Sequence, residues 1–192
     1  FAFVSFDRWE GHHPFTIASA DHGDHRVTFL IKAQGDFTRA LPRRIAVGQA
    51  VTVEGPYGFF ELPRRNPEAR QIWVAGGIGI TPFIAWLEAL RANPDDSLVT
   101  DLHYSTRNWA GDPFAERLKG LCADLPGVSL HIHDSQAGST LTAEHLTSMH
   151  DGSSKTEVWF CGPSGFARRL RTGLTRAWRG RLQFHQEAFE MR

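Results

Sequence analysis

Gln71-Ile72-Trp73-Val74-Ala75-Gly76-Gly77-Ile78-Gly79-Ile80-Thr81-Pro82 decides how this chain folds. Gln71–Ala75 is an apolar run and reads as a strand. Glycines end it. Thr81 is a favoured N-cap and Pro82 suits a first helical turn, so a helix follows, with Ile80, Ile84, Leu87 and Leu90 as its buried stripe. Glycine lets the backbone approach a phosphate closely, and a helix N-terminus offers free N–H groups and partial positive charge. The run therefore fits a pyrophosphate site at the carboxyl end of a strand. It is not the GxGxxG fingerprint, and close helix–strand packing is the competing reading.

Downstream, strands and helices alternate. Strands are expected at Leu98–Tyr104, Val128–His133, Val158–Cys161 and Leu182–Glu187. Helices are expected at Pro113–Leu121, Leu141–Met149 and Ser164–Arg179. Such alternation implies crossover units and a doubly wound parallel sheet. Upstream the grammar differs. Short strands at Phe1–Phe6, Phe15–Ser19, Arg26–Lys32 and Ala50–Val53, separated by Gly, Asp, His and Pro, suggest a small antiparallel barrel. Pro63-Arg64-Arg65-Asn66-Pro67 reads as a linker. The expected architecture is a partial antiparallel β-barrel domain, residues 1–66, followed by an α/β domain, residues 67–192.

Composition narrows the function. The 192 residues are 41% hydrophobic and 22% charged, a globular mixture. Lys+Arg and Asp+Glu are 21 each, which argues against a protein held to nucleic acid by bulk charge. No apolar run reaches the roughly 18–20 residues of a membrane span. Cys122 and Cys161 are the only cysteines, so neither a disulfide framework nor a zinc ribbon is expected. His131 and His133 share a strand face by alternation, but no third ligand is evident and no metal is expected. The glycine loops lack the lysine of a Walker A motif. Arg168, Arg169, Arg171, Arg176 and Arg179 crowd one helix without acidic compensation. They read as a solvated face, with anionic lipid or an acidic redox partner as the other reading.

Val158-Trp159-Phe160-Cys161-Gly162-Pro163 repeats the strand–glycine–helix logic, with a buried core cysteine as the competing reading for Cys161. Taken together, five runs stand in a telling order: His13-Pro14-Phe15-Thr16-Ile17-Ala18-Ser19, Gly35-Asp36-Phe37-Thr38, Glu54-Gly55-Pro56-Tyr57-Gly58, Ala75–Pro82 and Cys161-Gly162-Pro163. In that order the chain resembles the ferredoxin–NADP reductase superfamily. The HPFT form and the closing Phe184-His185-Gln186-Glu187-Ala188-Phe189 resemble the branch of NADPH oxidases and ferric reductases.

That resemblance implies FAD and NADP as cofactors and NADPH as reductant. It implies that His13, Pro14, Phe15 and Thr16 hold the flavin, with Phe15 on the isoalloxazine, Thr16 bonding near N5 and His13 towards the ribose or pyrophosphate. Lys32 would pair with an FAD phosphate, and Gly35 to Thr38 would give amides and a hydroxyl to the pyrophosphate. An edge-strand aromatic and a snorkelling lysine are the competing readings for Phe15 and Lys32. On the other half, Gly76, Gly77, Ile78, Gly79 and Thr81 would cradle the NAD(P) pyrophosphate, while Cys161, Gly162 and Pro163 line the nicotinamide pocket. Phe189 would cover the flavin face, with Glu187 as a polar neighbour. Ser105 and Arg107 would grip the 2′-phosphate of NADPH; a solvent-exposed arginine is the alternative there.

The resemblance further implies missing barrel strands upstream of Phe1. It implies a haem-binding transmembrane domain of the same protein as electron acceptor, and a place on the cytoplasmic face of a membrane. Two other readings stand beside it: a soluble ferredoxin- or oxygenase-type NAD(P)H reductase, and a catalytically silent nucleotide-binding module.

Overall fold

The computed structural model describes residues 1–7 and 11–187. Its N-terminal part is a three-stranded antiparallel sheet, order β2-β1-β3, from β1 (Ala2–Ser5), β2 (His13–Phe15) and β3 (Thr52–Glu54). Helix α1 (Asp36–Arg44) lies between β2 and β3 in the chain. The remainder runs β4 (Arg70–Gly76), α2 (Thr81–Ala92), β5 (Thr100–Thr106), α3 (Ala115–Ala123), β6 (Val128–Asp134), α4 (Ala143–Met149), β7 (Thr156–Cys161), α5 (Ser164–Ala177) and β8 (Leu182–Glu187). These strands form one parallel sheet, order β6-β5-β4-β7-β8. The chain leaves β4 towards one edge and later returns to the other side of it, so the sheet is doubly wound.

Alternate residues of the central strands feed two cores. Trp73, Ala75, Leu102 and Tyr104 pack with Phe83, Leu87 and Leu118 of α2 and α3. Ile72, Val74, Val158 and Phe160 pack with Leu146, Leu170 and Leu174 of α4 and α5. A strand buried on both faces must be apolar throughout, which is why this half is written so plainly.

The N-terminal half departs from expectation. Of the strands expected at Phe15–Ser19 and Arg26–Lys32, only an isolated bridge between Ile17 and Phe29 forms, and Phe15 closes β2. Residues 36–44, to which the sequence reading assigns no element, make α1 despite Pro42 within it. The expected linker is fastened. The Asn66 amide donates to Glu157 (2.9 Å), and the Gln71 amide nitrogen donates to the Asn66 and Ala69 carbonyls (2.9 and 3.0 Å). Arg65 pairs with Asp95. Thr81 is the first helical residue of α2 and not its cap, because Gly77–Ile80 already forms a 3₁₀ turn leading into it. Among the described residues no helix is long and apolar enough to cross a membrane.

Candidate functional site

One cleft of about 2150 Å³ runs between the carboxyl tips of the parallel sheet and the edge of the antiparallel sheet. The tip of β4 forms its floor. A Cβ on Gly79 would fall well inside van der Waals contact of the Cys161 carbonyl, so only glycine lets this turn sit against β7. Gly77 has φ +54° with open space where a side chain would point, so bare backbone faces the cleft. Gly76 and Ile78 line the floor beside them. The Thr81 hydroxyl donates to the Ile78 carbonyl (3.1 Å) and so holds the turn together.

The other wall comes from β2 and the α1 entry. His13, Pro14, Phe15 and Thr16 line it in sequence. The His13 ring stacks on Phe37 with centroids 3.6 Å apart, and its buried Nε2 has no hydrogen-bond partner among the described residues. Lys32 and Gly35 also line the cleft. Thr38 lines the cleft as well, and its hydroxyl, largely buried, accepts from the Gln34 and Gly35 amides (2.9 and 3.0 Å) and so shapes the loop at the α1 entry.

On the dinucleotide wall, Ser105 and Arg107 lie at and just past the end of β5, beside Gly162 and Pro163 from the end of β7. Gly76 and Ser105 are register partners, which places the β5 tip next to the glycine turn. The Ser105 hydroxyl is buried without a hydrogen-bond partner among the described residues. Glu187 closes β8 at the cleft, where burial raises its pKa. Cys161 differs from expectation. It is fully buried in the α2–α3 core and does not line the cleft. Its strand register turns the side chain inward beneath Gly79, and burial, with Glu187 nearby, pushes its thiol well up. Phe189 lies outside the described residues.

Some cleft residues received no role from the sequence. Phe37 and His185 sat inside quoted runs but were passed over; His185 stacks on Trp159 at 3.8 Å and lines the cleft. Phe60 stacks on Trp86 at 5.0 Å and also lines it. Nothing in their spacing distinguished them from core aromatics.

Such a cleft suits two flat ring systems joined to phosphates. It offers bare backbone and a helix start on each wall, and an orphaned buried polar atom on each wall as well: His13 Nε2 on one, Ser105 Oγ on the other. The fold, an antiparallel sheet followed by a doubly wound α/β half, is of ferredoxin–NADP reductase type. Comparison with known proteins agrees. Residues 1–61 match the FAD-binding domain family, and residues 73–172 match the oxidoreductase NAD-binding domain family. The chain is 31% identical over 140 residues to the carnitine monooxygenase reductase subunit of Escherichia coli, covering 72% of this chain and 40% of that protein. It is 26% identical over 177 residues to the anthranilate 1,2-dioxygenase electron transfer component of Acinetobacter baylyi, covering 88% and 50%. The solved ferredoxin–NADP+ reductase of Plasmodium falciparum superposes with a TM-score of 0.69 at 15% identity, covering 97% of this chain and 81% of that one. The chain belongs to the oxidoreductase NAD-binding domain family, here preceded by an FAD-binding domain. It spans about half the length of these curated relatives, 40% of one and 50% of the other.

Proposed function

We propose that this chain is the reductase part of an electron-transfer system, drawing on NADPH through FAD and serving a separate oxygenase-type partner. The observation that carries this reading is the single cleft shared by both sheets, with an unsatisfied polar atom on each wall. The named roles of the relatives, as reductase or electron-transfer components of oxygenases, support the partner class. A haem-bearing membrane partner, as in ferric reductases or NADPH oxidases, is the second reading; the His13-Pro14-Phe15-Thr16 run favours it.

Residues take their roles by chemistry. His13, Pro14, Phe15 and Thr16 would hold the flavin, Thr16 through a hydroxyl that both donates and accepts. Lys32, Gly35 and the α1 amides would meet its phosphates, with Thr38 setting the loop. Gly76, Gly77, Ile78 and Gly79 would pass beneath the coenzyme pyrophosphate, with Thr81 bracing the turn. Ser105 and Arg107 would take the 2′-phosphate by charge-assisted hydrogen bonds. Gly162 and Pro163 replace the Cys161 thiol as the nicotinamide-facing surface. Glu187 stays as the polar neighbour and Phe189 as the covering ring. The division at residues 66 and 67 separates the two halves. FAD, when bound, accepts a hydride from nicotinamide and releases electrons singly.

Purified chain loaded with FAD should oxidise NADPH with ferricyanide as acceptor. FAD-loaded protein that binds NADP+ yet never turns over NADPH would favour the silent binding module and sink this reading.

A further inference from the structure

The face of β5 and β6 beneath α4 should be aliphatic, and it is histidine. His103 and His131 are register partners on these strands, with rings stacked at 4.6 Å. His103 and His133 lie at 5.3 Å, and the edge of His145 from α4 meets His133 at 5.2 Å. His150, capping the end of α4, completes the group. His103, His133 and His150 are 0%, 4% and 5% exposed.

Hydrogen bonding requires one bare nitrogen between His103 and His133 and another on His150. His103 Nδ1 lies 3.1 Å from His133 Nε2, so one ring donates and the other accepts. His150 Nδ1 lies 3.3 Å from an Arg70 guanidinium nitrogen, a group that only donates, so that nitrogen must be bare. The carboxylate near the group is Asp101, 2.7 Å from His131 Nε2 and 3.7 Å from His150 Nε2 at the margin. The charged and titratable groups felt by His103 and His133 are the other histidines of the cluster. Within the cluster, Asp151 and Arg70 act on His150.

α4 covers these rings, and the segment leading into it walls the cleft through Ser135, Ser139, Thr140 and Leu141; His133 itself lines that wall. We propose that this buried histidine cluster is an acid-sensitive latch: proton uptake releases α4 and residues 135–142, weakening coenzyme binding while the flavin half stays folded. The site concerned is the coenzyme side of the cleft, so the consequence for binding rests on the function proposed above.

Linkage sets the sign. Burial holds His133 down to about 4 and His103 to about 2 in the closed state. Released rings titrate near 6.5, so the open state binds more protons below that pH and closure is lost as pH falls from about 6.5. Each such proton shifts the opening equilibrium up to about tenfold per pH unit. Asp134, which accepts from the Trp109, Gln136 and Ala137 amides, has its pKa held below the usual carboxylate value and stays charged in that window.

Hydrogen exchange of the FAD-loaded chain, corrected for intrinsic rates, tests the latch without turnover. Amides of α4 should lose at least about tenfold protection between pH 7.5 and 5.5 while β1–β3 amides hold. NADP+ affinity should fall in parallel. His103→Leu with His133→Leu should abolish the α4 slope and reduce the NADP+ slope to the part set by the coenzyme's own 2′-phosphate, which titrates near 6. If that pair does not fold, His103→Gln, which keeps a hydrogen-bonding partner for His133, should shallow the slopes. Unchanged α4 protection in the native chain, or loss as steep in the variants, overturns the latch. Lost protection with flat NADP+ affinity overturns its coupling to coenzyme. Should NADP+ bind at no pH while α4 opens as described, the coenzyme reading fails and the coupling with it, but the acid-driven opening stands.

Discussion

At the scale of single residues, the cleft depends on what glycine permits and on what two side chains lack. A methyl at Gly79 has the Cys161 carbonyl in its way, and backbone cannot step aside as a flexible side chain can. Gly79→Ala should therefore cost about 1–3 kcal/mol, seen as a lower Tm, and should weaken NADP+ binding. Ser105 and Arg107 bear on coenzyme choice. Arg107→Ala should raise KM for NADPH by roughly 10–100-fold, as the loss of a charged hydrogen bond of about 1.5–3 kcal/mol implies, and leave NADH unchanged. Equal loss with both coenzymes would move the 2′-phosphate elsewhere. The thiols give a third check. Cys161 is fully buried with its pKa pushed up, and burial lifts the Cys122 thiol to about 11. Both should resist thiol-specific reagents in the native chain and react once it is denatured; rapid native labelling of Cys161 would show that its side chain reaches the cleft.

At the scale of elements, the segment before β4 decides whether the two halves move independently. Gln71 is buried at 3% exposure, donates to Glu157 (3.1 Å) and accepts from the Trp159 indole (3.1 Å), while its amide also binds the carbonyls of residues 66 and 69. Gln71→Leu would strand those buried partners, so a loss of about 2–4 kcal/mol in chemical denaturation is expected, with faster proteolysis near residue 66. Unaltered stability would return the segment to a loose linker. The elements also show what a sequence can and cannot display. The α/β half was readable because Ile72–Ala75 and Val158–Cys161 are buried on both faces and so stay apolar throughout. The barrel half was legible in part: strands were expected at Phe1–Phe6 and Ala50–Val53, where β1 and β3 form, but α1 is hidden by Pro42 and a polar, arginine-rich surface. Of the expected site, the glycine turn, the β2 run and the β5 tip lie together because each sits at an element's end, where order along the chain maps to place in the fold. Cys161 could not be placed from sequence, since one residue of strand register decides which face a side chain serves.

At the scale of the whole molecule, the account rests on one cleft built by both sheets. The antiparallel half brings Phe1 and His13 to it, the parallel sheet and the turns at its tips bring Gly77, Ser105 and Glu187, and the segment before β4 is fastened to the parallel-sheet half. Hydride transfer needs reacting atoms roughly 3–3.5 Å apart, which only a shared hollow can supply. The most direct test is anaerobic mixing of the FAD-loaded chain with NADPH while flavin absorbance is followed. The account predicts bleaching of the oxidised flavin with saturable NADPH dependence, slowed by Arg107→Ala at sub-saturating coenzyme. A chain that holds both FAD and NADPH while its flavin stays oxidised would contradict it.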